Sequence, residues 1–373
     1  GSIVSMADYA ATWQTNNVTV AANGAEKIGG DTNNATLSTE GQSVTFVYVD
    51  GVQGWVNTMD STSNVRGLNP YIVATGGTPC AGATCGDYKI HTFTGPGTFA
   101  VTNAATCAAD NLVSYMVVAG GGSGGNAEGG TNGNAGGAGA GGFRELVSPT
   151  APYTASPLNG YPNAPNRITV SATPYTITVG GGGPSSPTCN PGAQGSTSTF
   201  STISSAGGGG GGGGPGAGGS GGSGGGASNA GAIGSGNTPP TTPSQGNNGG
   251  ATFSPGNPST VSGGGGGAGA VGGNGNPGGP AGPGGAGVTS EITASPVARA
   301  GGGGGGGNSG ETGGGTGGPG GGGAGGTFGG PACGVDGGLN TGGGGGATAA
   351  NCGSPASAGA GGSGVVVIRY KFQ

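Results

Sequence analysis

The chain has 373 residues, of which 106 are glycine and 25 are proline, and only 6 % of its residues are charged. A net charge of −5 with 8 basic residues excludes the basic surface that nucleic-acid-binding proteins present. No apolar run approaches the roughly 18 residues that span a bilayer, so we predict no membrane insertion. Apolar residues make up 31 % of the chain, which restricts a conventional hydrophobic core to parts of it.

The first segment, residues 1–66, predicts a small β module. Runs of β-forming residues between glycine- and asparagine-containing turns give predicted strands at residues 3–6, 17–20, 35–38 and 43–49. Both faces of the strand at 43–49 are fairly apolar, which predicts burial on two sides or packing against another subunit. The chain opens on Gly1 rather than Met, which leaves open a preceding segment.

The rest of the chain divides into a predicted linker, residues 67–87, and a glycine-rich domain, residues 88–373. Repeated glycine and Pro70 indicate the linker. In the domain we predict strands at residues 88–93, 98–102, 113–119, 175–179, 198–203 and 365–370. Pure glycine runs lie among these segments, at residues 207–214, 263–267, 301–307 and 342–346.

Three structures compete for the glycine-rich body. A flexible linker is typical of this composition, but strand-like segments bracket the glycine runs and favour a folded body. Collagen needs glycine at every third position, and this period fails in all registers at Ala227, Ser228 and Asn229. Side-by-side helices with three residues per turn fit better, because their amides can bond to neighbouring helices. This arrangement is called polyglycine II.

We therefore predict an all-β fold with polyglycine II. An N-terminal β module is followed by a β-strand base, and this base carries a bundle of glycine-rich left-handed helices. Glycine costs roughly 0.5–1 kcal/mol per residue in conformational entropy relative to alanine. Only dense hydrogen bonding between helices, at about 1 kcal/mol net for each bond, offsets that cost, so we expect the bundle to be tightly packed.

Residues suited to catalysis or metal binding are few. The single histidine, His91, lies in a predicted strand of alternating polarity, which favours a surface residue over a general base. Acidic residues are far apart in the glycine-rich body. We predict that the chain is not an enzyme and that it has no catalytic residue, no metal site and no cofactor.

The six cysteines show no CxxC spacing, which argues against zinc. Disulfides are the favoured alternative, with Cys80 to Cys85 or Cys107 and Cys333 to Cys352 as the local pairings. Stable disulfides would indicate an extracellular or particle-surface setting. Free cysteines in a protein assembled in the cytosol remain the other alternative.

Two stretches resemble proteins of tailed bacteriophages. The order Asn16-Asn17-Val18-Thr19-Val20, then Asn23-Gly24, then Thr45-Phe46-Val47-Tyr48 and Gln53-Gly54-Trp55, is similar to the β module of tail fibres and other virion appendages. The turn Thr94-Gly95-Pro96-Gly97, the strand 113–119 that leads into Gly120-Gly121-Gly122, and the terminal residues 361–370 resemble the glycine-rich domain of phage tail and fibre proteins.

The resemblance implies a structural virion protein that acts as a tail fibre or adhesin in host-surface attachment. It implies a homotrimer that contacts other virion proteins and a host surface glycan or protein, and that is exposed to the extracellular medium on the virion. One alternative is a fibre that decorates the capsid or tail with a purely structural role. A further alternative is an ice-binding protein, because small polyglycine II bundles resemble some antifreeze proteins.

Polar loops that interrupt the glycine-rich body are the candidates for recognition. Loops on a rigid scaffold are where binding residues tend to lie. The candidate receptor-binding residues are Asn237, Thr238, Thr241, Phe253 and Asn257. The alternative is that these loops only reverse the direction of the chain.

Overall fold

The computed structural model describes residues 1–61, 70–127, 135–185, 190–214, 216–229, 231–253, 261–308, 313–350 and 357–373. The chain divides into two compact units, residues 1–68 and residues 69–373. In the described ranges the regular elements are β-strands and two short 3₁₀ turns, Ala108–Asn111 and Ala164–Asn166. The predicted all-β class is confirmed.

The first unit has a three-stranded antiparallel sheet, order β1-β4-β5, and a separate hairpin, β2-β3. The strands are β1 Ile3–Ala7, β2 Val18–Val20, β3 Ala35–Leu37, β4 Ser43–Asp50 and β5 Gly54–Ser61. Leu37, Val44 and Phe46 are buried between sheet and hairpin. The sequence predicts β1 to β4. It does not predict β5, whose C-terminal half is mostly polar.

The second unit is built on two five-stranded antiparallel sheets. Its strands are β6 Val73–Thr75, β7 Thr78–Cys85, β8 Tyr88–Phe93, β9 Gly97–Asn103, β10 Ser114–Val118, β11 Phe143–Leu146, β12 Pro174–Thr178, β13 Ser198–Phe200, β14 Ile203–Ser205, β15 Val288–Ser290, β16 Val297–Arg299 and β17 Val365–Lys371. One sheet has the order β11-β10-β17-β8-β7, the other the order β14-β13-β12-β9-β6, and β15 and β16 form a hairpin.

The core of this unit lies where side chains of both sheets meet. Phe99, Tyr115, Phe200 and Ile368 come from both sheets and belong to one buried cluster. The other face of β10 and β17 packs on a second cluster that includes residues of the 288–300 segment. Because both of its faces are covered, β10 is apolar at nearly every position.

Several local predictions differ from the structure. Strands β6 and β7 lie within the segment predicted as a linker, and β7 pairs with β8. Residues 198–203, predicted as one strand, belong to the β13-β14 hairpin, which turns at Ser201 with a φ of 53°. Strand β7 consists only of threonine, proline, cysteine, alanine and glycine, so it gives little hydrophobic signal in the sequence.

The prediction that His91 lies on the surface is wrong. The side chain is fully buried, where Nδ1 is 2.7 Å from the Gly76 carbonyl oxygen and Nε2 is 3.1 Å from the Tyr370 hydroxyl. Because a carbonyl only accepts, Nδ1 carries the proton. Burial lowers the pKa of His91 below its ordinary value of 6.5. The other five-stranded sheet covers this face of β8. The alternation of polar and apolar residues within a single strand does not reveal that contact.

The predicted disulfides involving described cysteines are absent. Cys80, Cys85, Cys107 and Cys333 are free thiols. Cys80 and Cys85 both lie on strand β7, whose register against β8 shifts between Thr78 and Ala83. Cys352 lies outside the described residues.

The glycine-rich segments leave the sheets as extended threads with a hydrogen-bond period of three residues. In thread 120–126, successive backbone N–H groups donate in turn to three neighbouring threads. Gly120, Ser123 and Asn126 donate to Ser196, Ala193 and Asn190 of the first thread. Gly121 and Gly124 donate to Gly362 and Gly359 of the second, and Gly122 and Gly125 donate to Gly139 and Gly136 of the third. Three residues per turn is the geometry of polyproline II, and here the bonds join separate threads. The predicted polyglycine II bundle is therefore present.

The threads pack on a hexagonal lattice. The central thread, residues 135–142, exchanges backbone hydrogen bonds with six others: 120–126, 206–214, 223–229, 261–267, 300–308 and 341–350. We call these six the ring threads. Close packing requires glycine, as Gly121 shows: a Cβ there would lie 2.1 Å from the carbonyl oxygen of Gly343. Because the backbones of neighbouring threads lie this close, hydrogen bonds between them take the place of a hydrophobic core within the bundle.

Candidate functional site

The predicted recognition loop, residues 237–245, is held by its own hydrogen bonds. The Asn237 Oδ1 accepts from the Thr241 N–H at 2.9 Å, from the Thr241 Oγ1 at 3.0 Å and from the Gln245 N–H at 3.2 Å. Asn237 has a φ of 51°, a left-handed conformation that asparagine tolerates better than most residues. The side chain therefore organises the loop from within, and Thr238 remains exposed.

Gln245 ties this loop to the base of the bundle. Its side chain is fully buried, with Nε2 donating to the Pro239 carbonyl at 2.7 Å and Oε1 accepting from the Ala206 N–H at 2.8 Å. The Phe143 N–H, at the start of β11, donates to the Gln245 carbonyl at 2.8 Å. The loop is thus fixed to the sheet and to a ring thread.

The other predicted site residues do not join this loop. Phe253 lies eight residues beyond Gln245 along an extended thread, which at about 3.1 Å per residue places it roughly 25 Å away. Phe253 is 47 % exposed, and its backbone pairs with Val261. Asn257 lies outside the described residues. The structure brings together Asn237, Thr238 and Thr241 only.

A groove of about 470 Å³ opens beside the loop. It lies between the loop, the turn that joins β13 to β14, and the segment around the second 3₁₀ turn. The lining residues are Arg144, Asn163, Pro165, Asn166, Thr202, Ile203, Pro240, Thr241 and Thr242. Thr241 is the only candidate receptor-binding residue that lines the groove. Pro240 and Thr242 come from the same loop, and the other lining residues come from segments far apart in the chain.

Asn166 and Arg144 connect the walls of the groove. The Asn166 Nδ2 donates to the Thr242 carbonyl at 2.9 Å, which joins the loop to the opposite wall. The Arg144 Nη2 donates to the Asn166 Oδ1 at 2.5 Å, and Nη1 contacts the Ser204 carbonyl at 3.4 Å. Desolvation by burial lowers the pKa of Arg144, but a guanidinium stays protonated in proteins.

The lining defines what the groove offers to a ligand. Amides and hydroxyls supply hydrogen-bond donors and acceptors, Pro165, Ile203 and Pro240 supply apolar contact, and Arg144 supplies one positive charge. No carboxylate pairs with Arg144 in the described part of the chain. Across these same described ranges, no cluster of three or more His, Cys, Asp or Glu side chains has the arrangement of a metal site.

The first unit exposes an apolar sheet face. Val44 and Phe46 of β4 are buried, at 2 % and 5 % exposure, whereas Val49 is 58 % exposed. On the outward face Ile3 of β1, 66 % exposed, lies opposite Val47 of β4. Within one chain, therefore, only one face of β4 is covered, and the predicted burial of both faces requires a partner.

A β-sandwich that carries a hydrogen-bonded lattice of glycine threads defines the class of this protein as a glycine-rich scaffold. The chain belongs to the glycine-rich domain family, whose model matches residues 92–371, more than half of the chain. No curated protein matches the chain significantly. Among the described residues, no helix is long and apolar enough to cross a membrane.

Proposed function

We propose that this chain is a structural protein of a tailed-phage virion appendage, a tail fibre or adhesin, and that it attaches the particle to a glycan on the host surface. The observation that carries the proposal is the polar groove beside loop 237–245. Its volume of about 470 Å³ falls in the range of roughly 300–1,000 Å³ typical of ligand pockets.

Preorganisation of the groove supports a binding role. The Asn237, Asn166 and Gln245 side chains fix the loop through buried or partly buried hydrogen bonds. A site held in this way loses little conformational entropy when it binds a ligand. Amide and hydroxyl groups match the hydroxyls of a saccharide, and Arg144 favours one with a carboxylate or phosphate group.

The apolar face of the first unit supports attachment to other subunits. Ile3 and Met59 are 66 % and 69 % exposed, and Ile3 lies opposite Val47 across the β1-β4 pair. Burying such a face against two further copies removes apolar surface from water at about 25 cal/mol per Å². We propose a homotrimer on this basis, attached to other virion proteins.

Binding of the purified chain to cells and to immobilised bacterial polysaccharides tests the adhesin role. Thr202 lines the groove and is exposed, so Thr202→Trp should fill the groove without disturbing the fold. The matched control is Thr316→Trp, at an exposed thread position that does not line the groove. We expect binding by the wild type and the control and loss of binding by Thr202→Trp.

Two results would contradict this proposal. Equal binding by Thr202→Trp and the wild type would exclude the groove as the receptor site. A chain found on particles by antibody labelling that binds neither cells nor polysaccharides would favour the decoration role instead.

A further inference from the structure

Each ring thread has an outer lattice position, which lies on the side of that thread opposite the central thread. Five ring threads bond to a thread at this position, as the following pairs show: Gly183 with Gly121, Gly234 with Gly225, Gly264 with Gly273, Gly318 with Gly302, and Gly346 with Val335. The ring thread 206–214 is the exception. In the described part of the chain, no thread lies at its outer position.

This open position forms a groove floored by thread 206–214. Threads 190–197 and 216–222 are its sides, as shown by the bonds from Gly195 to Gly208 and from Gly219 to Gly210, 2.9 and 2.8 Å. We call it the thread groove. It is separate from the polar groove beside loop 237–245.

The floor of the thread groove presents a row of free donors. Gly208 and Gly211 donate to thread 120–126, and Gly209 and Gly212 donate to thread 223–229. The remaining N–H groups recur at every third residue, at Gly207, Gly210 and Gly213, and they donate to no described residue. All three glycines are buried. Since buried N–H groups in proteins are almost always paired, this row indicates a missing set of acceptors.

The sides of the thread groove present free acceptors. The carbonyl oxygens of Gly192 and Gly195 lie against Gly210 and Gly207, at 1.8 Å from an ideal Cβ built on each, and they accept no backbone bond from a described residue. On the other side, the only group among the described residues that donates to the Ser220 carbonyl is the Gln194 Nε2, at 3.3 Å. A ligand must therefore accept from the floor and donate to the sides.

An occupied position elsewhere in the lattice shows what such a ligand does. Gly346 and Ala349 of a ring thread each donate to thread 332–338 at 2.9 Å. That thread in turn donates to both of its sides, from Val335 to Ala324 at 2.9 Å and from Gly337 to Ala360 at 2.8 Å. Its residues are mainly glycine and small side chains. The thread groove has the same pattern of donors and acceptors.

We propose that the thread groove binds a glycine-rich segment of a separate partner polypeptide, which adds to the bundle in polyglycine II conformation. Glycine is required because the groove brings the two backbones as close as threads already in the lattice. A proline-only segment would accept from the floor but has no N–H for the sides. A second copy is disfavoured as the ligand, because the glycine threads that the structure describes are already bonded within their own bundle.

Gln194 covers the groove in the free protein. Its side chain crosses from one side to the Ser220 carbonyl on the other, and its position is exposed. A ligand must displace this side chain. Shortening the side chain of Gln194 should therefore open the groove, whereas a bulky side chain at this position should close it. Neither substitution alters a backbone hydrogen bond of the lattice.

Peptide binding to the full chain tests the proposal. The probe is a capped, fluorescent peptide that copies residues 331–339 with the substitution C333S, and nonaproline is the comparison. We expect Gln194→Ala to bind the peptide about fivefold more tightly than the wild type, since one competing hydrogen bond is removed. Gln194→Trp should not bind it, and Thr316→Trp and Thr202→Trp should bind it as the wild type does.

Amide exchange gives a second readout within a single thread. In the free protein the Gly207 and Gly210 amides should exchange faster than the Gly208 and Gly209 amides, and the peptide should protect the first pair. Equal affinity in the two Gln194 variants, or equal binding of nonaproline, would overturn the proposal. A third result would also overturn it: the wild type binds no peptide but self-associates, and Gln194→Trp abolishes the self-association. That result would assign the groove to a second copy of the chain.

Discussion

The substitution Gly121→Ala tests whether the lattice is as close-packed as the structure shows. A Cβ at Gly121 would lie 2.1 Å from the Gly343 carbonyl oxygen, against 3.4 Å for an ordinary contact. The difference, 3.4 minus 2.1, is about 1.3 Å, and the atom it meets belongs to backbone. The neighbouring thread must therefore move by about that distance.

The cost follows from the bonds that such a shift breaks. Gly121 donates to Gly362 at 2.9 Å, and Gly362 donates to Gly343 at 2.8 Å. Losing both bonds costs about 1 kcal/mol each, and leaving a buried backbone group unpaired adds about 1–3 kcal/mol. Alanine returns only about 0.4–1 kcal/mol by restricting the unfolded chain. We expect a net destabilisation of about 2–5 kcal/mol.

Gly181→Ala is the matched control, because an added Cβ there meets no atom within 4 Å. Its φ is not in the left-handed range, so we expect a gain of about 0.4–1 kcal/mol. Denaturant unfolding of the purified variants measures both changes. If Gly121→Ala is as stable as Gly181→Ala, the threads are not in the contact described, and the lattice interpretation is wrong.

Three further predictions concern other parts of the molecule. The native state keeps His91 neutral, whereas the unfolded state takes up a proton below its ordinary pKa of 6.5, so stability should fall as the pH drops below that value; His91→Gln should remove this part of the slope in unfolding measured between pH 7 and 5. Asn237→Gly keeps the left-handed conformation but loses the side-chain bonds, so it should weaken polysaccharide binding and destabilise the chain by about 1–3 kcal/mol, measured against Thr316→Ala. Ile3→Asp should convert the proposed trimer to monomer in light scattering, whereas Tyr9→Asp, at a fully exposed position, should not; a trimer that persists in Ile3→Asp would locate the interface elsewhere.

The strands could be predicted where burial makes them apolar. Strands β10 and β17 are buried on both faces, so their sequences are continuous apolar runs. Strand β7 is mostly exposed and has only small side chains, and the C-terminal half of β5 is exposed and mostly polar, so neither strand is a continuous apolar run. The burial of His91 was not predictable, because it depends on a sheet formed by residues far away in the chain.

The candidate site was predictable only in part, for a similar reason. Asn237 and Thr241 stand out because polar and proline residues interrupt a glycine-rich stretch. Arg144 and Thr202 join Thr241 in the groove through tertiary packing, and neither has a local signal in the sequence. The thread groove depends on which thread occupies which lattice position, and composition carries no information about that order.

The three-residue hydrogen-bond period also limits how this sequence can change by insertion and deletion. One residue added within a thread would rotate everything beyond it by a third of a turn, so that each N–H group would point at the wrong neighbour. Three residues added to each of two adjacent threads would leave the direction of every N–H group unchanged and would lengthen both threads by about 9 Å. Related proteins should therefore differ in thread length by multiples of three, while the loops between threads are free to vary in any number.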